Sequence, residues 1–285
     1  KEGAIVRPAV NIPSPGGATG GNPTGVVFSG SATDFKLSNG QPARFIFVGV
    51  DGILSGWNGA AGNNALLIKN NSATSAYTGL TLASNGGANY LYAADFRGGK
   101  IAVWDNAFTP VSMPFKDPNL PSGYSPFNIQ IVGSWLYVLY AKVGPDGEDQ
   151  AGAGNGYVSI FTTAGVFVKR FASRGTLNSP WGIAATPAGF FDDMDGDKDD
   201  GKSKTIIPES VLLVGNLGDG RINVYSEGGD FIGQLKSHGR TIVIEGLWAL
   251  SFPPATATTI DPNRLYFTAG PDDEKHGLFG YIIKD

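Results

Sequence analysis

Between Asp192 and Gly201 the chain reads Asp-Asp-Met-Asp-Gly-Asp-Lys-Asp-Asp-Gly, with carboxylates alternating through Asp193, Asp195, Asp197 and Asp199. Hard oxygen donors alternating in a glycine-containing loop can wrap one calcium ion. Counted from Asp195, the sixth loop position is Asp200, where an EF-hand has glycine, and its helix and bidentate glutamate are missing. A solvated acidic loop is therefore the alternative. Histidine occurs only at 238 and 276. His276 stands among Asp272, Asp273 and Glu274, which can supply its hydrogen bonds, whereas His238 falls in an outer hairpin turn. Cysteine is absent, so disulfides, thiolate catalysis and cysteine metal sites are all excluded. No Gly-x-Ser-x-Gly elbow, phosphate loop or His-Glu-x-x-His occurs, and no organic cofactor is expected.

These residues need a scaffold, and composition bounds it. The 285 residues include 42 glycines, 11% aromatics and 41% hydrophobics, which describes a folded, turn-rich chain read as one domain over 1–285. A net charge of −4, with basic residues clustered only near Lys198–Lys204, argues against nucleic acid as a partner. Apolar runs such as Phe45–Val50 are strand-length and far below the ~20 residues of a membrane span. The start at Lys1, without methionine or an apolar leader, is what a processed product would show.

A short motif recurs ahead of an apolar strand: Asn22-Pro23-Thr24-Gly25, Tyr77-Thr78-Gly79, Ser125-Pro126-Phe127-Asn128, Ser179-Pro180-Trp181-Gly182 and Glu245-Gly246-Leu247-Trp248. This aligns residues 25, 79, 128, 182 and 246. A second apolar strand and a turn follow each time, and a third strand then ends on Trp57, Trp104, Phe161, Tyr225 or Tyr281. An aromatic repeated in every copy reads as filler between packed sheets. Fourth strands are expected near Ala65, Val111, Phe167 and Phe231, but the fifth copy ends without one.

Five copies of about 50 residues with hairpin turns and no helical pattern predict an all-β fold, a β-propeller of four-stranded antiparallel blades. The copies lie near 22–70, 77–114, 124–172, 178–236 and 244–285. An N-terminal strand at 4–10 would supply the fifth copy's missing edge and close the ring. Residues 192–208 form an acidic insertion in the fourth copy.

The segments Leu91-Tyr92-Ala93-Ala94-Asp95-Phe96-Arg97-Gly98-Gly99-Lys100-Ile101, Tyr124-Ser125-Pro126-Phe127-Asn128-Ile129-Gln130 and Val214-Gly215-Asn216-Leu217-Gly218-Asp219-Gly220-Arg221 resemble an uncharacterised family of exported bacterial propellers. Leu265-Tyr266-Phe267-Thr268-Ala269-Gly270-Pro271 adds to the likeness. That family is similar to NHL-repeat propellers, and some members carry a PEP-CTERM sorting tail. The resemblance implies export to the periplasm, cell surface or medium, and a six-bladed parent. This chain would then begin at the last strand of an upstream blade. On the same reading it would lack the sorting tail. The family brings no established activity.

In a propeller the first-strand starts and the second-to-third turns share one face, the default site. The informative residues there are those that break the repeat: Phe127, Asn128, Trp181, Asn216, Glu245, Trp248 and His276. Turn-capping by Asp and Asn is the competing explanation for the polar ones. The expected function is an exported binding or scaffold module for a small molecule, glycan or protein. A lactonase- or lyase-like enzyme using a metal held by Glu245, Asn128, Asn216 or the Asp272–His276 turn is one alternative. A structural subunit of an extracellular assembly is another.

Overall fold

The computed structural model describes residues 9–188, 190, 191 and 210–283. Among them, regular structure is almost wholly β: four four-stranded antiparallel sheets, a three-stranded sheet, two short hairpins and a 3-10 turn at Gly59–Ala61. Each sheet follows chain order from strand to strand, so the protein is an all-β chain of β-propeller blades. No helix among the described residues is long and apolar enough to cross a membrane.

The chain forms two compact units, Lys1–Glu148 with Val158–Arg170, and Asp149–Tyr157 with Phe171–Asp285. In the first, blade 1 comprises Pro23–Phe28, Phe45–Gly49, Ile53–Trp57 and Leu66–Asn70. Blade 2 comprises Tyr77–Asn85, Ala88–Asp95, Lys100–Trp104 and Pro110–Val111. Blade 3 begins with Tyr124–Val132 and Trp135–Lys142; its outer strands, Gly156–Phe161 and Phe167–Ser173, have residues in both units. In the second unit, blade 4 comprises Pro180–Ala185, Val211–Asn216, Ile222–Ser226 and Phe231–Gln234. Blade 5 has three strands, Leu247–Ser251, Leu265–Ala269 and Leu278–Ile282.

Local chemistry sets the register. In blade 2, Asn85 pairs with Ala88 across Gly86-Gly87, both at positive φ (58° and 85°). That is the two-residue turn whose twist matches its flanking strands, and glycine enters it without strain. Alternation then sorts each blade into two faces. We call the face carrying the third-strand residue Trp57, Trp104, Phe161, Tyr225 or Ile282 the front, and the other the rear. In the first unit, the front of blade 2 (Leu91, Ala93, Trp104) packs on the rear of blade 1 (Val27, Ile46, Val48, Leu54). In the second, the front of blade 5 (Leu250, Leu265, Phe267, Ile282) packs on the rear of blade 4 (Ala184, Leu213, Ile222, Val224).

One alignment made from sequence changes here. Leu265 pairs with Ile282, the place held in blade 2 by Leu91 and Trp104, so Ile282 and not Tyr281 occupies the aromatic position of blade 5. Of the expected closing strand at 4–10, residues 4–8 fall outside the described residues, and Ala9 and Val10 are not in a strand. The acidic insertion at 192–208, with Asp193, Asp195, Asp197 and Asp199, also falls outside them.

Candidate functional site

Every blade carries a β-bulge in its first strand at one shared place, where the first strand has an extra residue against the second. A bulge bends its strand and re-aims the extra side chain, a device common beside functional sites. The bulged residues are Thr24, Thr78, Phe127 and Trp181, and in blade 5 Trp248 with Ala249. The last assignment follows from pairing: Leu247 stands opposite Ala269 as Pro180 stands opposite Asn216. Trp248, and not Glu245, is therefore the counterpart of Trp181.

Within the first unit, Thr24 donates its hydroxyl to the Tyr77 carbonyl at 2.5 Å, tying blade 1 to the first strand of blade 2. Phe127 is buried edge-on against Phe96, with ring centroids 5.2 Å apart. In the second unit, Trp181 is buried and meets the half-buried Trp248 edge-to-face at 5.3 Å, an arrangement favoured by the ring quadrupoles.

The two asparagines are parts of the framework. Asn128 is buried, and its Oδ1 accepts the Ile129 amide at 2.8 Å. Its side chain occupies the space above Gly79, where a Cβ would overlap Oδ1. Asn216 is fully buried. Its Nδ2 donates to the Thr176 carbonyl at 2.8 Å and to Asp219 Oδ1 at 3.0 Å. Its Oδ1 accepts from the Asn178 amide and from Asn223 Nδ2, both at 3.2 Å. Asp95 serves blade 2 in the same way, accepting the Ala76 amide at 3.1 Å and the Gly98 amide at 2.9 Å. In blade 1, Asp51 accepts the Asn22 amide at 3.2 Å. In each case a side chain at the second-to-third turn anchors the segment entering its own blade, which is what short polar side chains do at turns.

Glu245 is exposed, and its Oε1 accepts the Asp272 amide at 3.0 Å. Asp272, Asp273 and Glu274 all hold positive φ, at 57°, 52° and 62°. His276 Nε2 lies 3.8 Å from Asp272 Oδ2, with both side chains largely in solvent, and Lys275 Nζ reaches the same Asp272 and Asp273. Exposed pairs of this kind contribute little. Among the described residues no group of three or more histidine, aspartate and glutamate side chains is placed to hold a metal ion.

The structure thus joins Trp181 to Trp248, and Glu245 to the turn bearing His276. Asn216 is enclosed in its own hydrogen bonds, and Phe127 with Asn128 belong to the other unit. Two features went unseen in the sequence. Asp117, in the connection from blade 2 to blade 3, is buried beneath Arg170 Nε at 2.6 Å and the Ser159 hydroxyl, and its Oδ1 accepts the Asn119 amide at 2.9 Å. Burial, reinforced by that carboxylate, pushes the nearby Tyr140 phenol well above its ordinary range. An open cleft of about 310 Å³ also lies at the other end of blade 1, lined by Ser31, Gln41, Arg44 and Asn58 among others. Neither arises from one contiguous motif, so neither has a local sequence signature.

No family model matches the chain. It is similar to three uncharacterized proteins of Acanthamoeba polyphaga mimivirus. One is 39% identical over 219 residues, covering 73% of this chain and 48% of the relative. A second is 38% identical over 223 residues, covering 74% and 52%. The third is 29% identical over 267 residues, covering 88% and 46%. The chain spans about half the length of the curated relatives it matches, and these relatives are viral proteins. Solved structures similar to it include virginiamycin B lyase from Staphylococcus aureus, at 14% identity and TM-score 0.43 over 92% of this chain and 84% of that one. A streptogramin B lyase matches at 12% identity and TM-score 0.43 over 93% and 84%.

Proposed function

We propose that the chain is a non-catalytic binding or scaffold propeller whose ligand contacts centre on the aromatic bulge residues Trp181 and Trp248. The observation that supports this reading is the state of Asn216. Both its amide hydrogens and its carbonyl oxygen are engaged inside the protein, so it cannot ligate a metal or orient a substrate without opening blade 4. In the first unit Asp95 Oδ1 is likewise taken up by the Ala76 and Gly98 amides, and Asn128 Oδ1 by the Ile129 amide. What the bulge of blade 5 offers a ligand is instead an aromatic surface, suited to stacking on a sugar ring or an apolar group.

The test pairs a calorimetric screen of glycans and metabolites with a turnover assay on lactones, for wild type and Trp248→Ala. A ligand that binds wild type and loses at least about tenfold in affinity in the variant, a loss of about 1.4 kcal/mol, supports the reading, provided the melting temperature changes little. Turnover of any lactone, or unchanged affinity in Trp248→Ala, overturns it.

A further inference from the structure

Glycine packs poorly inside a strand, and its presence there marks a place where another backbone comes close. Gly182 is such a place. It follows the bulged Trp181 on the first strand of blade 4 and pairs with Gly215 of the second. A Cβ on Gly182 would stand 2.7 Å from the Trp248 carbonyl oxygen and 3.0 Å from the Leu250 amide nitrogen, so the bulge of blade 5 lies directly against its Cα. Both of these atoms are backbone and cannot turn aside. On its other flank the bulge is held by the Ala249 amide, which donates to the Thr268 hydroxyl at 3.2 Å, and by the pairing of Leu247 with Ala269. Gly215 supplies the contrast. A Cβ there would first meet the side-chain ends Leu247 Cδ2, at 2.9 Å, and Leu250 Cδ1, at 3.1 Å, which a small rotamer adjustment can move.

The close approach at Gly182 brings the two indoles together. Trp181 adjoins it in the chain and Trp248 carries the carbonyl that touches it, so the separation of the two strands here sets the separation of the rings. They meet edge to face with centroids 5.3 Å apart. A flat ring held between two others needs roughly 7 Å, twice the ~3.5 Å contact distance of carbon atoms. No ligand ring has room between these two.

We infer that Gly182 is the positioning residue of the aromatic pair: lacking a Cβ, it lets the bulge of blade 5 close on blade 4, so that a ligand stacks on the half-buried Trp248 and is not clamped between two tryptophans. This bears on recognition only if the pair carries the ligand, as proposed above, but the geometry of the pair can be read with no ligand present.

The chain has five tryptophans, at 57, 104, 135, 181 and 248. Labelling with 5-fluorotryptophan gives each one fluorine resonance, assigned by replacing the tryptophans with phenylalanine one at a time. Trp181→Phe is expected to shift the Trp248 resonance, and Trp248→Phe that of Trp181. Gly182→Ala is expected to displace both by more than a linewidth and to leave Trp57, Trp104 and Trp135 in place, which also shows that the variant folds. Gly215→Ala, at the same contact between blades, is expected to leave all five where they are. Unmoved Trp181 and Trp248 resonances in Gly182→Ala overturn the assignment. So does displacement of all five, which would make Gly182 a general packing residue, or a Gly215→Ala variant that moves the pair as far. The calorimetric screen on Trp248→Ala decides the ligand contact separately, so either result can fail while the other stands.

Discussion

Blades 1 and 2 share one design and differ in what lies in front of them. In blade 2, Trp104 ends the third strand, pairs with Leu91, packs edge-on against Tyr77 at 5.6 Å and is 3% exposed. In blade 1, Trp57 ends the third strand and pairs with Phe45 at the same register, yet Phe45 is 37% exposed and Trp57 only half-buried. Trp57 makes up part of the difference with a hydrogen bond, donating Nε1 to the Gly62 carbonyl at 2.7 Å. Core membership is thus not a property of the residue or of its place in the repeat. It is conferred by the neighbouring sheet, since only area withdrawn from water stabilises the fold.

The sharpest way to break the comparison is to delete both tryptophans in turn. Trp104→Ala removes a fully packed ring and is expected to cost about 3–5 kcal/mol. Trp57→Ala, at the matching position, is expected to cost clearly less, because part of the residue is still in water. Denaturant melts of the two variants check this, and equal costs would mean that the front of blade 1 is covered in solution.

A smaller effect compares how the two units anchor the segments entering their blades. Asn216→Ala leaves the Asn178 amide without its partner and removes the shorter of two amide donors to the Thr176 carbonyl, and a buried polar group left unpaired costs about 1–3 kcal/mol. Asp51→Ala, whose carboxylate accepts the Asn22 amide near solvent, is expected to cost clearly less. Urea midpoints measured side by side decide it, and the reverse order would show that the buried network is not what holds blade 4.

The smallest effect concerns Asp34, which links the connection between the first two strands of blade 1 to Asn89 and Asn106 of blade 2. Hydrogen bonds, chiefly from Asn89 and then from Asn106, hold the Asp34 carboxyl below its ordinary value against a modest opposing effect of burial. A carboxyl with a depressed folded-state pKa contributes stability above its unfolded pKa of about 3.9, and that contribution is lost as pH falls through the folded value. Asp34→Asn should therefore melt slightly below wild type at neutral pH, and the gap should close at pH below about 4. Asp34 is only half-buried, which keeps the effect small. A gap that stays constant with pH removes the carboxylate from the account.

The blade architecture was legible because alternating strands, paired glycine turns and aromatic strand ends recur with the repeat, and each reports a local backbone requirement. Blade 5 was misaligned for a local reason too. Gly246 imitates the register glycine but sits at φ 64° ahead of the strand, where a Cβ would overlap the Gly270 carbonyl oxygen. Its familiar look hid a three-residue offset, and Glu245 was taken for the bulged position that Trp248 holds. Positions that break the repeat stand out in the sequence, yet breaking the repeat proved compatible with framework duty, as Asn128 and Asn216 show. Hydrogen-bond capacity consumed by distant backbone leaves no mark on spacing. The Asp117 cluster escaped for the same reason, since Asp117, Ser159 and Arg170 meet only once the strands are in place.

The contact between Asn128 and Gly79 acts as a grammar for the order of blades. Asn128 needs a neighbour upstream with nothing beyond Cα at the matching place, because any Cβ there would overlap its amide oxygen. A blade bearing asparagine at that site can follow one bearing glycine, but it cannot follow itself. Duplication of blade 3 in tandem is sterically barred unless one of the two asparagines reverts, whereas blade 2 may be copied beside itself freely at this position. A single side chain thereby records a direction along the repeat and limits which recombined arrays of these blades could fold.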